Sequence, residues 1–172
     1  MYAHALVVVG LVAGTSLTVQ QAIAQDDNAG IRGLNHVGLS VEDVDAAVAY
    51  YTQTLGFPEA FRAHDANGNL VLVYVQVSRD TFIEIQPANA ERPPGISHLG
   101  LVVDDMESAI ATLRARGGDV SDSRRGSTSS IIANVTDPSG VRVELSELPP
   151  ESLQHQAIDR WRASGRDGTA PE

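Results

Sequence analysis

The chain repeats itself. Leu34-Asn35-His36-Val37-Gly38-Leu39-Ser40-Val41-Glu42-Asp43 returns 62 residues later as Ile96-Ser97-His98-Leu99-Gly100-Leu101-Val102-Val103-Asp104-Asp105. At the same spacing Ala47, Ala49 and Gly56 meet Ala109, Ala111 and Gly118. Phe82-Ile83-Glu84-Ile85 returns as Arg142-Val143-Glu144-Leu145 at a spacing of 60, so the halves differ by one short loop. A repeat of this length makes each half one supersecondary unit that completes its core against the other. Each half carries one His near its start and one Glu near its end.

Within a half the order is strand, helix, then strands. Leu34–Val41 alternates and is rich in aliphatic residues, which predicts a strand. Asp43 is suited to cap the helix that follows, in which Val44, Ala47, Val48 and Tyr51 fall at helical spacing and which Gly56 stops. Strands are expected near 59–65, 69–77 and 80–87, the first two joined by a turn at Asn67-Gly68. Pro93-Pro94-Gly95 links the halves. The second half predicts a strand near 96–103 and a helix capped by Asp105, with Met106, Ala109, Ile110 and Leu113 on one face. Asp137-Pro138-Ser139-Gly140 suits the last hairpin turn, and 121–130 reads as a loop or ragged strand. The expected fold is α+β: two tandem βαβββ modules, 33–90 and 95–148, forming a concave mixed sheet with helices on its outer face. Residues 149–172 form a tail with a short helix anchored by Leu153, Ile158 and Trp161.

Side chains alternate faces along a strand. Val37, Leu39 and Val41 share one face and His36, Gly38 and Ser40 the other. Ile83 and Ile85 oppose Phe82, Glu84 and Gln86. Leu99, Leu101 and Val103 oppose His98 and Gly100, and Val143 and Leu145 oppose Arg142, Glu144 and Ser146. If the apolar faces pack on helices, His36, Glu84, His98 and Glu144 all point into the concavity. Two imidazoles and two carboxylates make an N2O2 donor set suited to one divalent ion: zinc, nickel, cobalt, manganese or ferrous iron. Singly, a His in a strand is more often a packed residue and a Glu on a sheet face more often solvated; the pairing in register favours a site. By alternation Tyr74, Gln76 and Asn134 also face the concavity, and Arg124 in the irregular loop is suited to an anionic group. These four are the expected substrate contacts.

Composition narrows the chemistry. The 172 residues contain no cysteine, which excludes disulfides, thiolate metal sites and a Cys nucleophile. The net charge is −10 and every basic residue is Arg, so nucleic acid is not an expected partner; a small-molecule substrate is. Ala5 to Val19 is apolar and too short for a comfortable membrane span. With Ala22-Ile23-Ala24 behind it, residues 1–24 read as a signal peptide and 25–32 as a linker, which predicts a periplasmic or secreted protein with no membrane anchor after cleavage. A retained anchor is the competing reading.

The motifs His36-Val37-Gly38-Leu39, His98-Leu99-Gly100-Leu101, Ile83-Glu84-Ile85 and Val143-Glu144-Leu145 resemble the vicinal oxygen chelate superfamily, which includes glyoxalase I, methylmalonyl-CoA epimerase, extradiol dioxygenases and antibiotic-resistance proteins. The resemblance covers about residues 33–148 and includes the turn at Asp137-Pro138-Ser139-Gly140. Extradiol dioxygenases resemble a two-His, one-Glu arrangement, whereas Glu84 stands where glyoxalase I has a Glu. Similarity to the glyoxalase and epimerase branch implies a metal-dependent lyase or isomerase working through a metal-bound enediolate. On that resemblance a carboxylate moves the proton, Glu144 first and Glu84 second. Two readings remain beside it: a ferrous dioxygenase with Glu84 uncoordinated, and a binding protein without chemistry. The resemblance also leaves open whether the halves pair within one chain or across a homodimer.

Overall fold

The computed structural model describes residues 28–166. The proposed signal segment lies outside them. No helix among the described residues is long and apolar enough to cross a membrane.

The first half runs β1 (Ile31–Val41), α1 (Val44–Ala49, continued by a π-helical turn over Tyr50–Thr54), β2 (Glu59–His64), β3 (Leu70–Ser78) and β4 (Thr81–Pro87). The second runs β5 (Gly95–Val103), α2 (Met106–Ala115), β6 (Arg124–Arg125), β7 (Ile131–Thr136) and β8 (Arg142–Glu147), and α3 (Leu153–Ala163) follows. All strands join one sheet in the order β2-β3-β4-β1-β5-β8-β7-β6. The outer strands meander, while β1 lies parallel to β4 and β5 parallel to β8. The two modules meet where β1 pairs antiparallel with β5, so both halves complete the sheet within one chain. The sheet curls into a half-barrel.

Local signals act as expected. Asp43 accepts from the Ala46 amide and Asp105 from the Ser108 amide, each capping its helix. The β2–β3 and β7–β8 hairpins use one device: the Asp65 carboxylate accepts from the amides of Asn67 and Asn69, and Asp137 from those of Ser139 and Val141. Gly68 and Gly140 close these turns at φ of 85° and 86°, where a side chain would be strained. Residues 121–130 contribute only the two-residue β6, in keeping with the loop or ragged strand read there. Two features differ from the sequence reading. β1 begins at Ile31, inside the stretch read as linker. Trp161 is not an anchor of the tail helix; it is part-exposed, with the Arg166 guanidinium 5.4 Å from its ring centre.

The outer face is covered as the alternation requires. α1 packs Val48 onto Val73, Val75 and Ile85, and α2 packs Met106, Ala109 and Ile110 onto Val103, Ala133 and Leu145. Burying each such aliphatic side chain contributes about 1.5–3 kcal/mol. The third core lies on the concave side. There α3 sets Ala157 and Ile158 against Ala63, Leu72, Tyr74 and Phe82. The tail helix therefore fills the module-one part of the cup.

Candidate metal centre

The sheet register brings the four predicted ligands together in two matching rungs. On one, Tyr74, Glu84, Gly38 and His98 sit side by side on β3, β4, β1 and β5. On the other, Asn134, Glu144, Gly100 and His36 sit on β7, β8, β5 and β1. Each half's Glu thus shares a rung with the other half's His. The glycines between them make the room. A Cβ on Gly38 would lie 2.1 Å from the His98 ring, and one on Gly100 would lie 2.0 Å from the His36 ring.

One donor atom from each of His36, Glu84, His98 and Glu144 lies within 4.8 Å of every other, and all four residues are buried. His36 Nε2 is 2.9 Å from His98 Nε2, 3.6 Å from Glu84 Oε2 and 3.7 Å from Glu144 Oε1. His98 Nε2 is 3.7 Å from Glu84 Oε2. Burial, aided by the positive charge of Arg142, lowers the His36 pKa to about 4 and that of His98 to about 3. Both imidazoles are neutral at physiological pH, the form that binds a metal.

Two residues outside the sequence reading orient these rings. Asn35 and Ser97, the residues before each His, fall at breaks in the β1–β5 register. A bulge suspends alternation, which lets them serve the same site as the His that follows. The buried Asn35 amide donates to the Asp80 carbonyl at 3.2 Å, so its Oδ1 accepts from His36 Nδ1–H at 2.9 Å. Ser97 Oγ accepts from Gln86 and stands 2.9 Å from His98 Nδ1, placed to hold that proton in the same way. With its Nδ1–H engaged by Asn35, His36 turns its Nε2 lone pair to the centre; a His98 Nδ1–H held by Ser97 would turn the second lone pair there, the arrangement that fits a cation between them. The donor set, the glycine cradles and these outer partners fit one divalent ion.

The carboxylates are surrounded differently. Glu84 Oε2 accepts from the Tyr74 hydroxyl at 2.6 Å, and that hydroxyl is reached at 3.5 Å by Gln154 of α3. Gln154 is itself held by Ser130 at 2.9 Å. Burial, with the nearby negative Glu144, raises the Glu84 pKa to about 7. Glu144 is also raised by burial, against the opposing pull of Arg142, which donates to its Oε2 at 3.2 Å; Ser146 donates to Oε1 at 3.4 Å. Burial and the Glu84 charge hold the Tyr74 pKa well above its ordinary value, so Tyr74 is a neutral donor.

A cavity of about 610 Å³ opens beside Glu84 and Glu144; of the four residues expected to contact substrate, Tyr74 and Arg124 line it. Gln76 donates to the Arg79 carbonyl at the β3–β4 turn, and Asn134 accepts from Arg142; neither lines this cavity. Gln154 gave no sequence signal because the tail is not part of the repeat. A second cavity, of about 650 Å³, lies by Arg32, Asp104 and α3 and contains none of the four ligands.

Residues 33–145 match the Glyoxalase/Bleomycin resistance protein/Dioxygenase superfamily. The chain belongs to this superfamily. It is 30% identical over 125 residues to the lactoylglutathione lyase of Salmonella typhimurium, covering 66% of this chain and 91% of that protein. It is also 30% identical over 147 residues to a probable chloroplastic lactoylglutathione lyase of Arabidopsis thaliana, covering 76% of this chain but only 41% of that protein. Similarity to the 3-methylcatechol 2,3-dioxygenase of Pseudomonas putida is 29% over 147 residues, 77% of this chain and 47% of the dioxygenase. Against these two longer relatives the chain spans less than half their length. Among solved structures, methylmalonyl-CoA epimerase from Mycobacterium tuberculosis superimposes with a TM-score of 0.64 at 26% identity, over 76% of this chain and 97% of the epimerase. These superfamily relatives are enzymes.

Proposed function

We propose that this chain is a divalent-metal-dependent lyase or isomerase that moves a proton at the carbon beside a carbonyl in a small oxygenated substrate. The observation that carries the reading is the convergence of two neutral imidazoles and two carboxylates, drawn equally from both halves, at the edge of a cavity. One divalent ion held by His36, Glu84, His98 and Glu144 would supply Lewis-acid polarisation of neighbouring substrate oxygens.

The chain's own groups then divide the work. Asn35 and Ser97 keep the imidazoles oriented, and Arg142 keeps Glu144 ionised. The resemblance gives the proton-moving role first to Glu144, but the surroundings of the two carboxylates favour Glu84. Arg142 pairs with Glu144, stabilises its charge and weakens it as a base, whereas Glu84 is held by the neutral Tyr74 hydroxyl. Tyr74, steadied by Gln154, holds one oxygen of Glu84. With residues 1–24 read as a cleaved signal, the proposed place of action is the periplasm or outside the cell. The site takes its donors from one chain, so a homodimer is not needed to complete it.

The relatives' names suggest the first compounds to try, lactoylglutathione and methylmalonyl-CoA. Exchange of the proton beside the thioester carbonyl into D2O, followed by NMR on the metal-loaded protein, is expected with at least one. Glu84→Gln should slow it by about 10²–10⁴-fold and Glu144→Gln by less, once metal content is matched. Normal exchange in Glu84→Gln ends the assignment of the base. The dioxygenase reading has its support in the Pseudomonas relative, yet Glu84 and Glu144 stand at the same range from His36, which favours a four-donor site over a three-donor one. Oxygen uptake with 3-methylcatechol after ferrous loading would select the dioxygenase.

A further inference from the structure

The cavity beside the four ligands differs in charge from the rest of the molecule. The protein is strongly acidic, yet Arg92, Arg124 and Arg142 all line this one space. Arg142 is engaged by Asn134 and Glu144. The other two have no carboxylate partner among the described residues. Arg92 stands on the link between the modules, with its backbone amide fixed by Asn89 at 2.8 Å. One terminal nitrogen donates to the Pro87 carbonyl at 3.0 Å, and its Nε is buried with no acceptor. The Arg124 side chain, on the edge strand β6, has no hydrogen-bond or ion-pair partner among the described residues.

The two cations flank the site from opposite halves. The charge on Arg92 is felt at Glu84 and His98, and that on Arg124 at Glu144. Within the cavity lining, three Arg stand against Glu84, Glu91 and Glu144, so a bound divalent ion leaves this space with a net charge of about +2. α3 occupies the module-one part of the cup, and none of its residues lines this cavity. A buried guanidinium N–H that lacks an acceptor is costly to keep unless a ligand supplies one. Arg presents a fork of donors that matches a carboxylate or phosphate.

The geometry points to a substrate with an oxyanion arm: Arg92 and Arg124 hold a carboxylate or phosphate on the same molecule whose carbonyl end faces the four ligands. This rests on the metal-site reading above and narrows its substrate class. A neutral diketone or a catechol would leave both cations without a partner.

The test is calorimetric titration of the nickel-loaded full chain at constant ionic strength. Acetohydroxamate supplies two neighbouring oxygens and no arm. The monohydroxamates of malonic, succinic and glutaric acids add a carboxylate at increasing reach, phosphonoacetohydroxamate adds a phosphonate, and succinamic hydroxamate is the neutral control. One arm length should bind about tenfold or more tighter than acetohydroxamate, and the neutral control should not. The tighter of the carboxylate and phosphonate arms identifies the natural group. In Arg92→Ala and in Arg124→Ala the charged arm's gain, taken as the ratio to acetohydroxamate on the same variant, should fall below about threefold. Tight acetohydroxamate binding with no gain from any charged arm, or a gain that survives in the double variant, overturns the inference and leaves the metal site standing. A chain that retains no nickel and binds no hydroxamate removes the metal reading and this inference together.

Discussion

The two halves supply the same pair of candidate ligands and give them different neighbours. In module one the residue opposite Glu84 is Tyr74, and the residue two before it is Phe82, packed beneath α3. In module two the corresponding positions hold Asn134 and Arg142, which bond to each other, and Arg142 also bonds to Glu144. One carboxylate is therefore held by a neutral hydroxyl, while the other is paired with a cation. A duplicated scaffold fixes where ligands stand; the residues around each copy decide how basic it is.

The first way to break the comparison is through the glycines, where the halves are most alike. Gly38→Ala and Gly100→Ala each drive a methyl group into the opposing imidazole. Both should lose metal uptake and cost about 1–3 kcal/mol of stability by overpacking. Chemical denaturation and metal analysis would check this. A variant that keeps full metal content shows that the ring is free to move aside and that the glycine cradle is not needed.

A smaller effect is expected where the halves begin to differ. Asn35→Ala and Ser97→Ala remove the Nδ1 partners and should each weaken metal affinity by about 10–100-fold in competition with a chelator. Asn35 should matter more, because it is fully buried and tied to the Asp80 carbonyl, whereas Ser97 is part-exposed.

Acidity sharpens the contrast between the carboxylates. In the metal-free protein Glu84 titrates near 7 and the imidazoles near 4 and 3. A metal binds the ionised carboxylate, so affinity is full above pH 7 and falls as pH drops through it, by up to about tenfold per unit from Glu84 alone. Loading at pH 6 should release a proton that loading at pH 8 does not, as read by calorimetry in buffers of different ionisation enthalpy. Glu84→Gln should abolish most of that release. A release unchanged in this variant would locate the proton on another group.

The sequence disclosed what obeys a period. The four candidate ligands were legible because strand alternation assigned them to one face and the repeat did so twice. The caps at Asp43 and Asp105 and the turn at Asp137 were legible for similar local reasons. What stayed hidden breaks a period or lies outside the repeat. Strict alternation sends Asn35 and Ser97 to the face opposite their His neighbours, and only the bulges bring them back. Gln154 belongs to the tail and Arg92 to the link between modules, and neither has a counterpart to draw attention to it. Gln76 keeps the alternation, but it lies so near the β3–β4 turn that its amide donates to the Arg79 carbonyl.

The central claim is that both halves contribute to one metal centre within one chain. The direct measurement is metal content and affinity of the purified protein beside His36→Ala and His98→Ala, with size-exclusion chromatography on the same samples. The account predicts about one divalent ion per chain, and a loss in each variant at least as large as the roughly 100-fold upper range of an outer-partner deletion. No ion retained or taken up by the wild-type chain, or full loading in either His variant, would contradict it.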